Sequence, residues 1–130
     1  MSNFLTKLRP ELFLRAGFGI MYLYSGFDLF YNPQHWYGFV PQWFSRIIAP
    51  IPVETYLRIQ GSGEIVIGLL FLIPFFGTRG WRIAALIAVL EMLLITVLVG
   101  IDPITFRDIG LLGGAAALFI ISYNNFNKIN

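Results

Sequence analysis

The chain contains no cysteine and one histidine, His35. Without cysteine it can form no disulfide, no mixed disulfide, no cysteine-sulfur adduct and no thiolate-held iron–sulfur cluster. Any electron chemistry must then be carried by a partner or a bound molecule. A solitary imidazole cannot furnish the pair that holds a transmembrane haem, and His35 alone does not make a metal site; no metal is expected. Charge is scarce too, at 12% of 130 residues with a net charge of +2. Nine basic residues scattered along apolar stretches form no phosphate-binding stripe, which excludes nucleic acid as a partner. There is no glycine-rich nucleotide loop between a strand and a helix, and no nucleophile–base–acid constellation, so no catalytic residue is assigned.

What remains is hydrocarbon. The chain is 57% hydrophobic and its mean hydropathy is +0.72, a membrane composition. Its apolar runs predict four helices, at 11–30, 56–76, 81–100 and 105–123, each near the roughly 20 residues that a hydrocarbon core requires. A soluble bundle fails on its polar faces, because Ile83 to Val99 offers only Glu91 and Thr96 for a surface stripe. The first helix is interrupted by Arg15 and shows no cleavage pattern, so it reads as a retained span. The expected fold is all-α: one domain over 1–130, a polytopic transmembrane four-helix bundle with a long aromatic loop between helices one and two. Lys7, Arg9, Arg79, Arg82 and Lys128 fall on one side of that set, against Arg46 and Arg107 on the other. Both termini are therefore expected in the cytoplasm.

The loop from Tyr31 to Thr55 carries His35, Trp36, Tyr37, Phe39, Trp43 and Phe44, punctuated by Pro33, Pro41, Pro50 and Pro52. The prolines rule out a span and the rings suit the headgroup layer, with Gln42 to Ala49 able to form two turns on the membrane surface. The alternative is a lid over a cavity opening between helices one and two.

Two carboxyl groups lie deep in these runs, Glu64 and Glu91. A carboxylate in hydrocarbon is costly unless protonated, paired or facing a polar cavity, which makes both working candidates. Gly61, Glu64 and Gly68 share one face of their helix, so a second backbone can approach beside the carboxyl. Ala84, Ala88 and Glu91 repeat the arrangement; Gly110, Gly113, Gly114 and Ala117 serve the fourth helix, and Arg15, Tyr22 and Gly26 the first. Gly26, Gly61, Gly68 and Gly114 are the helix-packing positions. Arg15, Tyr22, Glu64 and Glu91 are the ligand-binding or proton-handling candidates, with Arg15 expected to approach Glu64. Thr105 is expected to cap the fourth helix through its hydroxyl. A structural alternative stands beside this reading, in which glycines pack helices and the charged groups satisfy one another.

Taken together, these residues resemble the DoxX family of small four-helix membrane proteins. The resemblance rests on Arg15 and Gly17, on the Tyr24-Ser25-Gly26-Phe27-Asp28-Leu29-Phe30 segment followed by Asn32-Pro33, and on Gly61, Glu64 and Gly68. It continues through Arg79, Glu91 and Arg107-Asp108. Asp28 departs from the pattern, standing where such segments often have lysine. The family includes a small membrane subunit of thiosulfate:quinone oxidoreductase and proteins linked to responses to thiol oxidation. The resemblance thus implies a quinone-associated subunit supporting a redox partner, noncatalytic alone, in a prokaryotic plasma membrane. An interhelical pocket would take the quinone ring, Arg15 a carbonyl, Glu64 a proton and Tyr22 a neutral hydrogen bond. The alternatives are a membrane scaffold without a redox ligand and a proton-linked transporter of a small solute, for which four helices leave little room without a homo-oligomer.

Overall fold

The computed structural model describes residues 8–103 and 105–127; Lys7 and Lys128, used in the charge count, lie outside them. Helix α1, Pro10–Tyr31, opens on a proline whose missing N–H costs nothing at a first helical position, and carries Glu11 in its first turn where the helix dipole favours an acid. It stops at Asn32, ahead of Pro33. A 3-10 segment, Pro33–Phe39, and a short helix α2, Gln42–Ile47, form the aromatic loop. Helix α3 spans Val53–Leu72. A 3-10 turn, Pro74–Phe76, leads into α4, Gly77–Leu98, and α5 spans Phe106–Asn127. No strand occurs among the described residues.

Three expectations are corrected. The second helix does not reach Phe76: Pro74 pushes Ile73 into an extended conformation (φ −81°, ψ 118°), which ends α3 at Leu72. Gly77, at φ 56°, then makes the reversal that starts α4 before Trp81. The Thr105 hydroxyl does not cap α5 but turns back, donating to Gly100 O at 2.7 Å and accepting from Asp102 N–H at 2.8 Å. Lastly, the four long helices are not equivalent spans, and short helical pieces interrupt the plain four-helix bundle. Pro74–Leu98 and Phe106–Asn125, with mean hydropathies of 2.1 and 1.4, are long and apolar enough to cross a membrane. Helices α1 and α3 have the length, but Arg15 and Asp28 dilute one and Arg58, Gln60 and Glu64 the other.

Helix α1 packs along α3 and α4 along α5, with α3 against α4 joining the two pairs. Small residues allow the first pairing. A Cβ on Gly26 would stand 2.8 Å from Gly61 O, and one on Gly61 would stand 2.6 Å from Gly26 O, so the two backbones touch. Two turns further along, a Cβ on Gly68 would meet Gly19 O at 3.0 Å. The interior is made of Phe18, Tyr22, Phe71 and Trp81 over an alanine floor, Ala84, Ala85, Ala88 and Ala115. Large aliphatics such as Ile20, Val66, Ile83, Leu94, Val97 and Ile120 point outward. Small residues inside and large aliphatics outside is the distribution expected when the solvent is lipid. On α5 the inward line is Gly114, Ala115, Leu118 and Ser122; Gly110 and Gly113 face open space and Ala117 is exposed, contrary to the small-residue face expected there.

Candidate functional site

Midway along the bundle, three helices bring polar side chains together. Tyr22 and Ser25 sit three apart on α1, hence on one face; Gln60 and Glu64 sit four apart on α3; Glu91 comes from α4. The Tyr22 hydroxyl donates to Glu91 Oε2 at 2.6 Å. Ser25 Oγ donates to Glu64 Oε2, and Gln60 Nε2 donates to Glu64 Oε1 at 3.3 Å. Tyr22 is 1% exposed and Glu64 7%, so neither can be satisfied by bulk water. Below the cluster the Tyr22 ring tilts against Phe71 at 6.2 Å, and Phe71 stacks on Phe18 at 5.7 Å. Among the described residues, no buried side-chain nitrogen or oxygen lacks a partner.

This arrangement differs from the expected one in a definite way. Tyr22 bonds Glu91 and Ser25 bonds Glu64, but Arg15 bonds neither carboxyl group. Its Nε–H donates to Phe71 O at 3.0 Å and its guanidinium lies 5.3 Å from the Trp81 ring centroid. The last carbonyls of a helix lack intrahelical donors and carry negative partial charge, so a cation finds its place there. Arg15 therefore closes the end of α3 and leaves the carboxyl groups to neutral hydroxyl donors. Ser25 and Gln60 were not singled out from sequence as site residues. The signal for each was its helical spacing, Ser25 one turn after Tyr22 and Gln60 one turn before Glu64.

A second polar centre lies at the other end of α1. Asp28 accepts from Asn32 Nδ2 at 3.0 Å and from Trp36 Nε1 at 2.9 Å, and pairs with His35 Nδ1 at 3.2 Å. His35 is thus engaged with a carboxylate, and among the described residues no group of three potential ligands gathers for a metal. Lysine has no acceptor and could not collect these donors, which gives the departure at Asp28 a structural meaning. The 3-10 segment is fastened to α1 here, while the backbones of α1 and α3 are in contact at Gly26 and Gly61.

The DoxX family model matches residues 11–101, from the first turn of α1 to just past α4. The chain belongs to the DoxX family. No curated protein and no solved structure matches it. As a DoxX protein with two long apolar helices it is a membrane protein, and its carboxyl cluster falls wholly within the matched region.

Chemically, the DoxX cluster can hold protons. A protonated carboxyl bonded to a hydroxyl is tolerable in a low-dielectric interior where an isolated carboxylate is not. Two such groups on different helices, each bonded to α1, form a short set of proton-carrying oxygens across the bundle.

Proposed function

We propose that this DoxX chain is an accessory membrane subunit, noncatalytic alone, that supports a quinone-using redox partner. The observation that carries the reading is the pair of carboxyl–hydroxyl contacts, Tyr22 with Glu91 and Ser25 with Glu64, held inside an apolar bundle. Quinone reduction takes up protons as well as electrons. Glu64 and Glu91 are suited to handle the protons, while a chain without cysteine leaves the electrons to the quinone and the partner. Tyr22, bonded to Glu91, is the neutral group that would meet a quinone carbonyl after releasing that carboxyl. Arg15, placed at the end of α3, has no part in this version of the site.

Mild extraction from native membranes, followed by lipid analysis and partner identification, tests it. Wild-type protein is expected to bring quinone or a redox partner with it, and folded Glu64→Gln and Tyr22→Phe variants to lose the quinone. Normal retention by both variants would make the cluster structural. Absence of both quinone and redox partner from active native material would reject the assignment. One observation favours a scaffold instead: among the described residues, every buried side-chain nitrogen and oxygen already has a partner within the protein. A stable complex free of small molecules would decide for it.

The same reading has all four long helices crossing the membrane, with both termini cytoplasmic and the aromatic loop outside. Its basis is the clustering of Arg9, Arg79 and Arg82 at one end of the bundle. Single cysteines at Ser45 and Thr78 are expected to react with an impermeant thiol reagent from opposite sides. Labelling of both from one side would exclude this topology.

A further inference from the structure

At the end of the bundle opposite the aromatic loop, the start of α1, the Pro74 turn, the start of α4 and Asn125 of α5 enclose a cleft of about 480 Å³. Arg9, Glu11, Arg15, Thr78 and Trp81 line it. We propose that this cleft binds the phosphate headgroup of an anionic phospholipid. The site shares no residue with the carboxyl cluster and needs no quinone; it rests on the proposed reading only in having the four long helices cross the membrane.

Its chemistry is set by two guanidinium groups and one acid. Glu11 is consumed by Arg9, whose Nε lies 2.6 Å from Glu11 Oε1, while the rest of the Arg9 side chain stays largely exposed. Arg15 spends only its Nε–H on Phe71 O, and among the described residues no carboxylate lies within ion-pair distance of it. The remaining N–H groups of a guanidinium form a planar fork that matches two phosphate oxygens. The start of α4 opens on the same space through Gly77 and Thr78 without a side-chain cap, adding the positive end of a helix dipole. The cleft therefore carries a net positive charge at the level where four long helices end, the depth at which headgroups lie.

Its rim decides between a lipid and a free anion. Phe75, beside the lining residue Pro74, is 88% exposed, and Phe76 is 43% exposed. Trp81 gives the cleft an apolar wall beneath the Arg15 guanidinium. A cationic recess bordered by bare aromatic rings suits an amphiphile, with phosphate inside and acyl chains along the rings. Inorganic phosphate would leave those rings uncovered.

The purified full-length protein in neutral detergent is titrated with phosphatidylglycerol, phosphatidylcholine or inorganic phosphate, and bound lipid is read by native mass spectrometry alongside thermal stability. Phosphatidylglycerol is expected to bind and raise the melting temperature, with phosphatidylcholine and inorganic phosphate much weaker. Arg15→Gln is expected to weaken phosphatidylglycerol binding at least about tenfold, the loss of a charge-assisted hydrogen bond. Arg9→Gln, on an exposed side chain, tests the cleft without touching the end of α3. The control is Arg58→Gln, which removes an equal charge at the far end, where Arg58 pairs with Glu54. Equal binding of the two lipids, or an equal loss from Arg58→Gln and Arg9→Gln, would overturn the site. Inorganic phosphate competing at the lipid's own affinity would show that the anion alone is recognised and overturn the lipid assignment.

Discussion

Gly61→Val is expected to lower the stability of the protein by about 3 kcal/mol or more, measured by denaturant titration in mixed micelles. A Cβ at this position would lie 2.6 Å from Gly26 O and 2.9 Å from both Leu29 Cβ and Phe30 N. Two of these are backbone atoms of α1, which cannot turn aside as a side chain can, so the substitution can be accommodated only by prising α1 from α3. That separation would also stretch the Ser25–Glu64 contact one turn further along. Gly63, on the same helix, supplies the control, since a Cβ there meets nothing within 4 Å. Gly63→Ala is expected to be neutral or to stabilise by about 0.5–1 kcal/mol through helix propensity. Equal stability of Gly61→Val and Gly63→Ala would refute the close approach.

Phe71→Ala is expected to cost about 3 kcal/mol, at the low end of the range for large aromatic truncations. Phe71 is fully buried and its ring supports both Phe18 and Tyr22. In lipid the transfer part of the usual penalty shrinks, because acyl chains are as apolar as the interior, and what is left is the cavity. Arg15 bonds the backbone carbonyl of Phe71, so the end of α3 stays closed in the variant and the measured loss reports packing. Phe71→Leu, which refills most of the space, is expected to recover more than half of it. A loss below about 1 kcal/mol for Phe71→Ala would mean that the Phe18–Phe71–Tyr22 stack does not support the core.

The positions of the long helices were legible in the sequence because an apolar run of bilayer length, poor in charge, can hardly fold as anything but a helix. Their ends were less so: Pro74 and Gly77 redirect the chain within a stretch that hydropathy alone reads as continuous. The face carrying Gly26, Gly61 and Gly68 could be read from helical periodicity, which fixes neighbours within a helix. Periodicity does not fix rotation against a partner, and for this reason Gly110 and Gly113 were assigned inward although they face open space. The same limit explains Arg15. Its charge suggested a carboxylate partner, but the end of α3 offered an acceptor whose position depends on where Pro74 stops that helix. Glu64 and Glu91 stood out in sequence by their cost in hydrocarbon, whereas Ser25 and Gln60 are ordinary helix residues until the bundle places them.

The fastening at Asp28 changes what the aromatic loop can be. An indole has a single N–H, and that of Trp36 is spent on the Asp28 carboxylate. A tryptophan that floats at a bilayer surface takes its depth from the lipid carbonyls it bonds; Trp36 takes its depth from the last turn of α1. The ring behaves as a rivet between two pieces of protein, so a change in bilayer thickness would move helix and loop together.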